Sequence, residues 1–114
     1  MQSFRCAIYT SDGWYLSAVN GGGLPTRNAG VPPVALHTDS RTASAWQTFR
    51  VVIGGDVSGI FNGMPFALQT FNGNYLTATN GGGIGGPNDA SSPVHTDART
   101  PEAWETFTFE LSRF

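Results

Sequence analysis

Residues 14–26 read WYLSAVNGGGLPT, and residues 74–86 read NYLTATNGGGIGG. Aligning 5–29 with 65–89, and 37–53 with 95–111, gives 20 identities in 42 positions. Tyr15 matches Tyr75, Leu16 matches Leu76, Ala18 matches Ala78 and Asn20 matches Asn80. The triplets Gly21–Gly23 and Gly81–Gly83 match, as do His37-Thr38-Asp39 and His95-Thr96-Asp97. Arg41 pairs with Arg99, Trp46 with Trp104 and Phe49 with Phe107. After the glycines the second copy is two residues shorter. Self-similarity on this scale means that one structural unit is used twice. The chain therefore reads as a single domain, 1–114, with repeat one at 5–53, repeat two at 65–111 and a connector at 54–64.

Each copy carries the period of a β-strand. In 66–71, FALQTF, Phe66 and Leu68 alternate with Ala67 and Gln69. Asn72-Gly73 follows, and Asn-Gly between two strand-like runs signals a hairpin. At the end of the copy, Phe107, Phe109 and Leu111 share one face while Thr106, Thr108 and Glu110 share the other. Phe49, Val51 and Ile53 do the same in the first copy. Short strands separated by Gly/Asn turns, without a sustained helical period, predict an all-β barrel or sandwich. Pro32-Pro33, Pro87 and Pro93 keep the long internal loops out of sheet. The one helical expectation is a single turn over Thr100–Trp104, with Thr100 capping and Pro101 in first position.

Composition excludes several classes of function. Only 12% of residues are charged and the formal net charge is −2. Nucleic acid and anionic membrane surfaces both call for clustered cations, whereas here the six Arg are scattered and Lys is absent. No apolar run is long enough to span a bilayer. The N-terminus, MQSFRCAIYT, lacks the basic and apolar regions of a secretion signal, which makes a cytoplasmic location the default expectation. A single Cys6 excludes an internal disulfide.

A strand, a Gly-containing turn, Tyr-Leu-x-Ala at 15–18 and 75–78, a glycine run, a loop and then Trp104-Glu105-Thr106-Phe107 with a closing strand form one recurring pattern. It resembles the fascin-like repeat of β-trefoil proteins, and the resemblance covers nearly the whole chain. The resemblance implies a β-trefoil-like barrel built from duplicated four-stranded units, with Trp46 and Trp104 packed inside and Glu105 bonding loop backbone. That family includes actin-bundling proteins, and similar modules accompany glucan-hydrolysing enzymes, which implies sugar binding. Two copies are present where a trefoil uses three. The apolar faces of the strands then need a cover, and a homodimer is the expected one. Residues 1–4 and the connector, with Ile60 and Phe61, are the alternative plug for a monomer.

Several residues are candidates for chemistry. The glycine triplets could cradle phosphate through backbone N–H groups, but no helix signal and no Lys follow them. A tight bend or close backbone approach explains them better. His37 with Asp39, and His95 with Asp97, lie at i and i+2 and so point to one face of a strand. Each pair suits a two-point hold on sugar hydroxyls; the structural alternative pairs Asp39 with Arg41 and Asp97 with Arg99. Trp14 has no aromatic counterpart, since Asn74 stands opposite it, and it reads as an exposed stacking platform or an ordinary surface aromatic. No acid, base and nucleophile assemble into a catalytic motif. The leading expectation is a non-catalytic, lectin-like carbohydrate-binding module without cofactor or metal. One site would use Trp14, Asn20, His37 and Asp39, and the other Asn80, His95 and Asp97. The alternative is a structural or protein-interaction module.

Overall fold

Apolar, β-branched and aromatic residues along 49–53 and 65–69 give strands that bury neighbouring side chains such as Val51 and Val52, or Ala67 and Leu68, on both faces, and Gly13 and Gly73 supply the turns between strands. The computed structural model describes residues 2–23, 35–54, 62–83 and 94–110. The first copy holds β1 (Gln2–Cys6), β2 (Tyr15–Ala18), β3 (Leu36–Ser40) and β4 (Phe49–Ile53). The second holds β5 (Pro65–Gln69), β6 (Tyr75–Ala78), β7 (Val94–Ala98) and β8 (Phe107–Thr108). Single 3₁₀ turns at Val19–Gly21 and Ala45–Gln47 recur at Thr79–Gly81 and Ala103–Glu105. The described residues contain no α-helix, so the architecture is all-β.

All strand pairs are antiparallel. One sheet runs β1-β4-β5-β6-β7, with β8 also paired to β5, and β2 pairs with β3 separately. Among the described residues this path is open: no pairing joins β7 back to β1. The two hairpins β2–β3 and β6–β7 share their register, with Ser17 opposite His37 and Thr77 opposite His95. Both shift register at the same place, between Tyr15 and Ser17 and between Tyr75 and Thr77. The turns leading into them also agree. Thr10 N–H reaches Trp14 C=O at 2.8 Å, and Thr70 N–H reaches Asn74 C=O at 2.7 Å. Gly13 and Gly73 sit at φ 87° and 88°, where a side chain would be strained.

The core collects Ala18, Phe49, Val51, Ile53, Met64, Leu68 and Leu76, with Phe66, Phe107 and Phe109 packed against it. Phe66 stacks on Phe109 at 4.0 Å between ring centroids. Burying a side chain of this size contributes about 1.5–3 kcal/mol. Met64, almost fully buried, belongs to the connector rather than to either copy. Of the expected plug, Ile60 and Phe61 lie outside the described residues.

The helical turn falls later than the sequence predicts. Glu105 Oε1 accepts the Glu102 N–H at 2.9 Å, and Thr106 Oγ1 donates to Glu102 C=O at 2.8 Å. These bonds make Glu102, not Thr100, the residue that flanks the turn, and they leave Pro101 outside it.

Candidate functional site

Each Trp-containing turn is fastened to its hairpin by the residue after the tryptophan. Gln47 Nε2 donates to Ser17 Oγ at 2.6 Å, while its Oε1 accepts Ser44 N–H at 2.8 Å. In the second copy Thr77 Oγ1 donates to Glu105 Oε2 at 2.7 Å. Ser17, Gln47, Thr77 and Glu105 are all buried. Backbone bonding by Glu105 thus takes the form of the contact to Glu102.

With Gln47 and Glu105 turned inward, the adjacent tryptophans turn outward. Trp46 is 43% exposed and Trp104 45%. This corrects the expectation of packed tryptophans: a short 3₁₀ turn directs successive side chains to different sides, and the buried polar residue takes the inner one. Each Trp turn packs beside the 3₁₀ turn that opens the glycine bend, Val19–Gly21 in the first copy and Thr79–Gly81 in the second. In the second copy the indole Cδ1 of Trp104 lies 3.6 Å from where a Cβ on Gly81 would stand. Asn20, exposed and at φ 61°, heads the first bend. Asn80 holds the same place in the second, and its side chain lies outside what is described.

The His–Asp pairs form as their spacing predicts. His95 Nδ1 and Asp97 Oδ1 share a hydrogen bond at 2.5 Å. His37 Nδ1 meets Asp39 Oδ1 in a close contact that falls outside hydrogen-bonding geometry. The alternative pairing of Asp39 with Arg41 is not adopted. Arg41 instead donates to the Asp12 carbonyl at 3.2 Å and lays its guanidinium over the Trp14 ring, 3.6 Å from the centroid. That contact also corrects the picture of Trp14 as an exposed platform, because the residue is half-buried and one ring face is taken by a cation.

The candidate residues therefore fall into two groups per copy: an exposed tryptophan beside an Asn-Gly bend, and a His–Asp pair on the neighbouring strand. Each pair offers two polar groups suited to hydrogen bonding; among the described residues no three His, Cys, Asp or Glu gather as a metal cage. Burial pushes the thiol pKa of Cys6 up, which leaves it a poor nucleophile. No described helix is long and apolar enough to cross a membrane. The outward orientation of Trp46 and Trp104 runs against the expectation from sequence. Their signal was the polar residue after each, Gln47 and Glu105, whose burial forces the ring outward. Comparison with protein-family models, with curated proteins and with solved structures yields no match.

Proposed function

We propose that the chain is a non-catalytic carbohydrate-binding module of β-trefoil-like, fascin-related build, with one shallow site per copy. The observation that carries this reading is the pair of equivalent, outward-facing tryptophans on a surface otherwise poor in charge. A flat indole face stacks on the C–H face of a pyranose. Asn20, on the turn that packs beside that of Trp46, supplies an amide edge for hydroxyl groups, and Asn80 holds the matching position in the second copy. His37–Asp39 and His95–Asp97 add a second set of donors and acceptors along the adjoining strands. Trp14 takes a supporting role, since Arg41 covers one of its faces. Each site alone binds weakly, and two sites engaging one polymer raise the apparent affinity through effective concentration.

A glycan array, followed by calorimetry on the best hit, tests the assignment. Trp46→Ala combined with Trp104→Ala should abolish binding, and Asp39→Ala with Asp97→Ala should weaken it. Silence across the array, or full binding by the double tryptophan variant, would end it.

The second reading, a protein-interaction module, is favoured by a different observation. Gly81–Gly83 is exposed, whereas the matching Gly21–Gly23 carries a docked turn of the second copy. A turn from another polypeptide, including a second copy of this chain in a homodimer, would cover it. Sedimentation at micromolar concentration separates the outcomes by mass.

A further inference from the structure

Strand register brings together residues that the sequence scatters. Arg5 of β1 stands directly opposite Arg50 of β4, Arg50 stands opposite Gln69 of β5, and Gln69 stands opposite Tyr75 of β6. Directly opposed residues on neighbouring strands share a face, with Cβ atoms about 4.5–5.5 Å apart. Two arginines thus stand side by side and line one cleft, an arrangement that like-charge repulsion disfavours. Among the described residues neither arginine forms an ion pair. Arg50 donates to Ser3 Oγ at 3.0 Å, a neutral hydroxyl, and Arg5 has no partner among the described residues.

A cleft of about 140 Å³ opens over the pair. Its walls include Arg5, Arg50, Gln69, Thr48 and Phe71, and none of the described lining residues is a carboxylate. Phe71 is 61% exposed at this rim. Gln69 is held in place by its Nε2 bond to Gly73 C=O at 3.2 Å. The volume falls below the roughly 300–1,000 Å³ of pockets that enclose a whole small molecule, so the cleft accommodates one end group. Paired guanidinium forks match the oxygens of a carboxylate or sulfate. An adjacent exposed phenyl face suits the apolar face of the ring that carries such a group.

We propose that this cleft binds the oxyanion substituent, carboxylate or sulfate, of an acidic sugar. Arg5 and Arg50 hold the anion and Phe71 stacks on the ring. The site is separate from Trp46 and Trp104. The sugar half of this assignment rests on the carbohydrate reading above; the oxyanion half stands without it.

The test is an NMR titration of the intact chain with sodium sulfate, D-glucuronate and D-glucose, each to millimolar concentration. Sulfate and glucuronate should shift the backbone amides of Arg5, Arg50 and Gln69, and glucose should leave them in place. Arg5→Gln with Arg50→Gln removes facing like charges and should fold at least as stably as the natural chain. It should weaken both anions by about tenfold or more, the loss expected when charge-assisted hydrogen bonds are removed. Phe71→Ala should weaken glucuronate and spare sulfate. Trp46→Ala with Trp104→Ala should leave the glucuronate-induced shifts of the Arg5, Arg50 and Gln69 amides unchanged, which separates failure here from failure of the neutral-glycan sites. Amides unmoved by either anion, or anion binding retained in the double arginine variant, would overturn the site. Response to sulfate without response to glucuronate would overturn the sugar.

Discussion

The two glycine triplets have the same backbone and opposite surroundings. Gly21, Gly22 and Gly23 take φ of 77°, 112° and 98°, and Gly81, Gly82 and Gly83 take 80°, 115° and 82°. Around the first triplet the second copy closes in. Asn72 N–H donates to Gly21 C=O at 2.9 Å, and Asn72 Nδ2 donates to Asn20 C=O at 2.8 Å. Gly23 N–H donates to Thr96 C=O at 2.6 Å, and Asn74 Nδ2 reaches the same carbonyl at 3.1 Å. Around the second triplet, no described atom comes within 4 Å of a Cβ built on Gly82 or Gly83. Left-handed φ is thus the requirement common to both, and close approach is an extra demand on the first alone. The free turn at Thr10–Trp14 could not serve the second triplet in the same way. It has the backbone of Thr70–Asn74, but Asp12 and Trp14 replace the two side-chain amides that make the joint.

Two pairs of substitutions and one single change probe the differences between the copies by urea denaturation. The largest gap is expected between Gly22→Val and Gly82→Val. A Cβ at Gly22 would stand 2.1 Å from Thr70 Oγ1 and 2.7 Å from Thr70 Cβ, so strain and overpacking add. At Gly82 only the backbone is penalised: φ 115° with ψ −174° is a region essentially restricted to glycine, at about 1–3 kcal/mol. Gly22→Val should exceed it by roughly 1–3 kcal/mol. Equal losses would mean that the joint contributes nothing. Next comes Asn72→Asp, which removes a donor and sets a carboxylate against the carbonyls of Asn20 and Gly22. A loss of about 1–3 kcal/mol is expected, while Asp12→Asn at the free turn should stay within about 0.5 kcal/mol. The smallest effect belongs to Glu105→Gln. A glutamine there can donate to Thr77 as Gln47 donates to Ser17, so the change should be under about 1 kcal/mol. A larger loss would show that the two Trp turns are fastened by different physics.

Local rules made the strands legible. The period-2 faces of 49–53 and 107–109, the Asn72-Gly73 turn and the His–Asp contacts all depend on residues a few positions apart. So does the bend after each Tyr-Leu-x-Ala strand, where the glycines announce positive φ. The orientation of Trp46 and Trp104 was hidden because it depends on a partner across the hairpin, Ser17 or Thr77, that claims the next side chain. Arg41 over Trp14 and the facing of Arg5 with Arg50 depend on strand register, which no local pattern in the sequence reveals. The burial of Met64 likewise follows from where the connector meets the core, not from its own neighbours in the chain.

The joint at the first bend also has a direction in time. Its side-chain bonds run from Asn72 to Asn20 and Gly22, 52 and 50 residues away along the chain. At a synthesis rate of ~5–20 residues per second, Asn72 is added roughly 3–10 s after the glycines it will cover. For that interval the first bend lacks the turn that will cover it. The first copy is therefore born incomplete, and its final contacts wait for a turn still to be made.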